Sequence, residues 1–342
     1  MKTISSEPHG PDLLTVGRRP LPERAVPAGQ VRVLYVGGLG RSGSTLIERL
    51  IGQLPGVCPV GELVHLWERG VTEGERCGCG EPFGQCAFWQ QVGQAAFGGW
   101  DEVDVSRVAA LRSQVDRNRF IPALARRKIS PKMRNFLTEY IFYYSRLYVA
   151  IVQVSGCDLV VDSSKHPSLA HCLRWQPDVD LRVLHLVRDP RAVAYSWSRQ
   201  VLRPDTDRQS YMTRYSPATA AGQWNVQNAA FHLLARTGVR TMRLRYEDFT
   251  AEPELTLHRV ADFAGLQAQD SYPFLTADGA SWGAHLGGSH SVSGNPMRFT
   301  TGQVPISRDE KWRTSMSKAQ QRAVTALTLP LLAGYGYMGT KS

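Results

Sequence analysis

The residues best suited to chemistry begin at Gly38-Leu-Gly40-Arg41-Ser42-Gly43-Ser44-Thr45. Residues 32–36 before this run have the apolar, β-branched pattern of a buried strand. After it, Leu46, Ile47, Leu50 and Ile51 share one face of a helix that starts at Ser44. A strand, a glycine-rich turn and a helix opening on Ser-Thr make an anion cradle. First-turn N–H groups have no intrahelical partner, the helix dipole points at the loop, and glycine admits a phosphate close to the backbone. The spacing is that of a phosphate-binding loop with one departure. Ser44 stands where the lysine that reaches the outer phosphates of a nucleoside triphosphate is expected, which counts against an ordinary NTPase.

Further chemistry-bearing groups follow other strand patterns. Glu62 lies about one helix beyond the cradle, and in an open α/β sheet the chain returns after one helix to the same carboxyl edge. Lys165-His166-Pro167 closes a polar loop, residues 162–167, after an apolar run at 157–161. Arg188-Asp189-Pro190-Arg191 ends a strand at 181–187; Asp189 reads as an N-cap with Pro190 at the first helical position. Ser196 comes eight residues after Arg188. Tyr246-Glu247-Asp248 follows a last strand at 239–245, and a helix at 253–264 comes next. Strands alternating with helices predict an α/β fold, a mainly parallel sheet with helices on both faces.

The remaining segments position these groups. Residues 1–29 read as a tail and 30–340 as a single domain, with an insertion at about 70–150. The insertion holds a cysteine loop, a basic stretch at 117–128 and an aromatic-rich helix at 138–152, read as core packing with acceptor recognition as the alternative. Residues 202–218 are a polar loop. From Trp282 the chain is rich in glycine and serine with scattered cations, either a lid over a ligand or a plain loop, and the last helix spans 317–332.

Composition narrows the classes. A formal charge of +10 over 342 residues suits anionic ligands, but no basic block with interleaved aromatics supports nucleic-acid binding. There is no apolar run of about 18 residues, so no membrane span is expected. The amino terminus lacks an apolar secretory core, which makes the cytoplasm the expected compartment. Oligomeric state is not fixed, and a homodimer is left open. Of the six cysteines, Cys77, Cys79 and Cys86 share one glycine-rich loop. A metal knuckle completed by Cys58 or His65, or a disulfide, is one reading. Cys-x-Cys departs from the usual zinc spacing and a cytosolic setting disfavours disulfides, so reduced, loop-packing thiols are expected.

In combination, the lysine-free cradle and Arg188 with Ser196 resemble the sulfotransferases that use 3′-phosphoadenosine 5′-phosphosulfate (PAPS), releasing adenosine 3′,5′-bisphosphate (PAP). The resemblance spans roughly residues 31–335 and implies the sulfotransferase fold. It implies that Arg41, Ser42, Gly43, Ser44, Thr45 and Leu46 hold the 5′-phosphosulfate, that Arg188 and Ser196 hold the 3′-phosphate, and that Tyr246 lies near the adenine. Arginine's planar fork and a serine hydroxyl suit a phosphate. The Gly61-Glu62 pair and the Lys165-His166-Pro167 segment are similar to tyrosylprotein and carbohydrate sulfotransferases and related bacterial enzymes. Ser293, Gly294, Asn295 and Arg298 resemble the carboxy-terminal cofactor loop of the bacterial relatives. The implied reaction is in-line sulfuryl transfer to a hydroxyl of a sugar, lipid, phenol or natural product, with no metal required. Arg41 and Lys165 would stabilise charge, and the base is Glu62 or, by analogy with cytosolic enzymes, His166. Two rivals stand beside it: an ATP-dependent kinase with Asp162 as its Mg²⁺ ligand, and a non-catalytic polyanion binder.

Overall fold

The computed structural model describes residues 29–205, 210–267, 269–279 and 281–338; the expected tail lies outside them apart from Gly29. The chain begins β1 (Val31–Gly37), α1 (Ser44–Ile51), β2 (Val57–Gly61). Four helices follow before the sheet resumes: α2 (Ala87–Phe97), α3 (Val105–Val115), α4 (Ile121–Leu124) and α5 (Pro131–Ser155). Next come β3 (Leu159–Lys165), α6 (Pro167–Leu173), β4 (Val179–Val187), α7 (Pro190–Ser198) and the short pair β5 (Leu202–Arg203) and β6 (Ser210–Tyr211). The remainder is α8 (Pro217–Ala235), β7 (Arg240–Arg245), α9 (Tyr246–Ala251), α10 (Pro253–Ala264), β8 (Leu275–Asp278), β9 (Ser281–Leu286), β10 (Gly302–Ile306), α11 (Trp312–Ser315) and α12 (Lys318–Gly334).

The central sheet has five strands in the order β2-β3-β1-β4-β7, and all its pairings are parallel. Side chains alternate across it, as the pleat requires. Val33 and Tyr35 of β1 face a core built with Tyr144 and Tyr148 of α5, Leu169 of α6 and Phe231 of α8. Leu34 and Val36 face the opposite core, built with Ile47 and Leu50 of α1 and Leu257 and Val260 of α10. Both faces are therefore covered, as a parallel sheet demands. From β1 the chain moves outward to β2 and β3 on one side and to β4 and β7 on the other. That reversal opens a crevice at the carboxyl edge, the usual ligand position in such sheets.

Besides the short strands β5 and β6 within the expected 202–218 loop, three differences from the sequence pattern bear on the site. First, the polar run after Val161 is not a loop: β3 continues through Asp162, Ser163 and Ser164 to Lys165. Buried polar groups are tolerated when each finds a partner. Here Tyr148 donates to Asp162 at 2.7 Å, Ser163 donates to Glu48 at 2.5 Å, and Ser164 accepts from the Val64 N–H at 2.9 Å. Second, the aromatic helix is longer than 138–152. It starts after Ser130, whose hydroxyl accepts from the Met133 N–H, and stops at Gly156, in the left-handed region. Third, the strand before Tyr246 is not the last. Strands β8, β9 and β10 form a separate antiparallel sheet, so residues 282–286 and 302–306 are strand rather than loop, while Gly294, Asn295 and Met297 between them line the cavity described below. Ala284, Leu286, Val304 and Ile306 pack it onto the α1 and α10 side.

Candidate active site at the carboxyl edge of the sheet

Each of the five parallel strands ends on a group singled out in the sequence. Strand β1 runs into the cradle, β2 into Glu62, β3 ends on Lys165, β4 precedes Arg188 and β7 precedes Tyr246. One cavity of about 640 Å³ gathers Arg41, Gly43, Ser44, Thr45, Leu46, Glu62, Lys165, His166, Arg188, Ser196, Tyr246, Gly294 and Asn295.

The cradle is shaped by its backbone. Gly43 caps α1 at φ 90°, with no side chain occupying the first-turn N–H groups. A β-carbon there would lie 2.4 Å from the Tyr246 ring, so only glycine fits. Arg41 also has a positive φ, 74°, a conformation that costs a non-glycine residue about 1 kcal/mol or more. Its guanidinium lies 5.3 Å over the Trp197 ring and donates to Met212 Sδ at 3.0 Å. Trp197 in turn donates to the Gly40 carbonyl at 2.9 Å. The buried Nε of Arg41 has no partner among the described residues. Burial pushes this guanidinium below its usual range, opposed by Glu62.

Arg188 reaches across the crevice and ties β4 to the loop after β1. It donates to the Arg41 carbonyl at 2.9 Å and to the Asp309 carbonyl at 3.2 Å, and it stacks 4.8 Å over the Tyr246 ring. The Asp309 carboxylate is 3.4 Å away. Asp189 caps α7 as expected, accepting from the Arg191 N–H at 2.8 Å, and Ser196 on that helix faces the same cavity.

At the other side Lys165 donates to Glu62 Oε1, and His65 Nε2 lies 3.6 Å from the second carboxylate oxygen. Burial, reinforced by Arg69, pushes His65 well below the imidazole range, so it is neutral at pH 7. Burial lowers His166 as well, and its ring meets His65 edge-on at 5.5 Å. The Glu62 N–H donates to the Val292 carbonyl at 2.8 Å. This contact brings Gly294 so close that a β-carbon would sit 2.8 Å from Glu62 Oε1. Lys165 and Ser293 have φ 66° and 57°; with Arg41 they are the only non-glycine residues at positive φ among the described residues. All three lie in or beside the site, where backbone strain tends to collect.

Three expected residues do not line the cavity. Ser42 is buried inside the turn. Ser293 is buried and accepts from Arg69 at 2.7 Å. Arg298 is 1 % exposed, pairs with Asp205 at 3.3 Å and donates to the Arg76 carbonyl at 2.8 Å, so that carboxylate holds it away from the cavity. Asp162 is 0 % exposed and bonded to Tyr148 and Ser164, not presented to a ligand. Conversely, His65, Arg69, Trp197, Arg203, Met212 and Gln227 line the cavity without having been expected. Trp197 directly follows Ser196, and that proximity was the one available signal for it.

Glu48 is the least anticipated part. It is 2 % exposed on α1, where it accepts from the Gly61 N–H and Ser163 at 2.5 Å each and from Ser291 at 3.4 Å. One carboxylate thus joins the end of β2, the end of β3 and the 291 loop beneath Glu62. Burial pushes its carboxyl up to about 7, against the lowering effect of the Ser163 and Gly61 hydrogen bonds. Between about 4.5 and 7 the unfolded chain releases this proton while the folded chain keeps it, so stability falls as pH rises and levels off above 7. At about 1.36 kcal/mol per unit the full effect is about 3 kcal/mol. Chemical denaturation of Glu48→Gln across this range is expected to remove that slope; an unchanged slope would assign it to other groups.

The carboxyl edge of a doubly covered parallel sheet, with a glycine cradle and the cations Arg41, Lys165 and Arg188 around one cavity, gives an α/β fold whose crevice suits an anionic ligand. Residues 34–270 match the profile described as "Sulfotransferase family", and the chain belongs to that family. Human carbohydrate sulfotransferase 2 is 27% identical over 204 residues, 49% of this chain and 37% of that protein. The chain therefore spans little more than a third of that curated relative. Among solved structures, the sulfotransferase domain of the Synechococcus PCC 7002 olefin synthase is 18% identical, with a TM-score of 0.46 over 92% of this chain and 98% of that one. Sulfotransferase STF9 from Mycobacterium avium is 16% identical, with a TM-score of 0.36 over 71% of this chain and 66% of that one. No described helix is long and apolar enough to cross a membrane.

Proposed function

We propose that this chain transfers a sulfuryl group from PAPS to a hydroxyl of a sugar, lipid, phenol or natural product, with Glu62 as general base. The observation that carries this reading is the meeting of Arg41, Lys165 and Arg188 with the Glu62 carboxylate in a single cavity. The cradle fits a phosphosulfate: its helix amino terminus carries no capping side chain, and beside it Arg41 has a buried Nε without a partner among the described residues. Backbone N–H groups from Ser42 to Leu46, with the Ser44 and Thr45 hydroxyls, would hold the 5′ end. Arg188 and Ser196 would hold a 3′-phosphate, with Tyr246 beside the base. Bound there, PAPS supplies an activated sulfuryl group.

The chain's own residues supply positioning, a proton acceptor and positive charge. Glu62 is a carboxylate on a rigid strand end, within reach of Lys165, and it faces the cavity. Lys165 and Arg41 offer donors for charge that develops on the transferred group and the leaving phosphate. His166 is the competing base. Burial lowers its pKa, and the two are separated by the variants described below.

The kinase reading is weakened because Asp162 is engaged inside β3. Adenosine 3′,5′-bisphosphate at about 100 times its Kd is expected to stabilise the chain by about 2.7 kcal/mol, while ATP with Mg²⁺ at the same concentration stabilises it less. The reverse order would sink the reading. A polyanion binder would instead show a steep salt slope without consuming PAPS.

A further inference from the structure

Three cysteines expected from the sequence to be reduced and loop-packing, with a metal knuckle as the other reading, meet a histidine from the far end of the chain. Cys77, Cys79, Cys86 and His290 place their ligand atoms all within 4.8 Å of one another. The Cys79 and Cys86 sulfurs are 3.7 Å apart, as are those of Cys86 and Cys77. His290 Nδ1 lies 3.3 Å from Cys86 Sγ and 3.8 Å from Cys77 Sγ. Bonds of about 2.3 Å to sulfur and about 2.0 Å to nitrogen give a tetrahedral site with edges of about 3.8 Å between sulfurs and about 3.5 Å between sulfur and nitrogen. The observed separations straddle those edges. Cys58 and His65, the other candidates for a fourth ligand, lie elsewhere: Cys58 in the core on β2 and His65 against Glu62.

We propose that Cys77, Cys79, Cys86 and His290 Nδ1 bind one zinc ion that serves as a structural clamp. Three soft thiolates and an imidazole in a closed tetrahedron select zinc among common divalent metals. Cys77 and Cys86 are each 1 % exposed, and the exposed Cys79 provides the entry path. Neighbouring aromatics hold His290 in place. Its ring stacks on Phe88 at 4.8 Å, and Trp89 donates to the His290 carbonyl at 2.9 Å. On binding, each coordinating thiol releases its proton to solvent and forms a zinc–sulfur bond, with no change of oxidation state.

The clamp acts on the site through the backbone. The Gly78 N–H donates to the Ser291 carbonyl at 3.0 Å, and Val292 exchanges hydrogen bonds with Val60 and Glu62 at 2.9 and 2.8 Å. Gly294 then closes against the Glu62 carboxylate. The ion would therefore hold the wall of the cavity from outside it, with no part in the transfer chemistry. This inference stands independently of the donor and acceptor proposed above.

Metal analysis of the full chain, expressed with zinc and purified without chelator, is expected to give about one zinc per chain. Cys86→Ser and His290→Ala should each fall to background, while Cys157→Ser, outside the cluster, keeps the metal. If the cluster variants fail to fold, cobalt substitution of the unaltered chain decides the question. A tetrahedral thiolate spectrum, with intense visible bands and sulfur-to-cobalt charge transfer, supports the site; an octahedral spectrum or no cobalt binding overturns it. So would a zinc-free chain, an intact mass two hydrogens lower showing a disulfide, or loss of metal in Cys157→Ser.

Discussion

Glu62→Gln is expected to lower sulfuryl transfer by about 10²- to 10⁴-fold, the usual contribution of a positioned general base, while affinity for adenosine 3′,5′-bisphosphate stays nearly unchanged. The amide is almost isosteric with the carboxylate, and its carbonyl still accepts from Lys165 Nζ, the contact that holds this corner together. What it loses is the capacity to take the acceptor's proton. Lys165 comes from a rigid strand end and the Glu62 N–H stays tied to Val292, so the cavity wall keeps its shape and nucleotide binding serves as the folding control. Initial rates with labelled PAPS and calorimetric titration with the bisphosphate measure the two halves separately. His166→Ala is expected to retain most activity. Near-normal turnover in Glu62→Gln together with collapse in His166→Ala would move the base to His166.

Arg188→Ala is expected to weaken adenosine 3′,5′-bisphosphate binding by roughly 10- to 100-fold, because a charged hydrogen-bonding partner contributes about 1.5–3 kcal/mol. Adenosine 5′-phosphate, which lacks the 3′-phosphate, should be affected far less. That contrast separates recognition from architecture, since Arg188 also donates to the Arg41 carbonyl and packs on Tyr246. Equal losses for both nucleotides would mean that Arg188 only shapes the cradle. Arg188→Lys should recover the charge but not the planar fork, and so only part of the affinity. Ser196→Ala, removing one neutral donor, should cost several-fold.

The groups visible in the sequence are those whose geometry is local. The cradle is a strand, a turn and a helix within about twenty residues, and Arg188 and Ser196 sit on one strand end and the helix that follows it. Asp189 and Pro190 announce that helix by their chemistry alone. Contacts across the chain were not legible. Glu48 lies on a helix where a carboxylate ordinarily faces water; it is buried because the Gly61 N–H and Ser163, from two other strands, converge on it. Arg298 sits in a segment resembling a cofactor loop, yet Asp205, 93 residues away, pairs with it. His290 gives no signal within its run of glycine and serine, and only the fold brings it beside Cys86. The β8–β10 sheet was hidden because its strands are short and interrupted by Gly283 and Pro305, which blur the two-residue alternation.

The five strand ends that meet at the cavity come from positions 37 to 245 of the chain. β1 lies in the middle of the sheet and β7 at its edge, so the cradle rests on an inner strand while the Tyr246 ring under Arg188 follows an edge strand. A ligand that touches both the cradle and Tyr246 would be coupled to docking of that edge strand. A chain with β1 to β4 assembled but β7 undocked would have the cradle without a complete site, so affinity for the nucleotide proposed above would report the finished sheet. Long-range parallel pairing of this kind is slow to form, and a ligand that recognises only the completed edge pulls the equilibrium toward it.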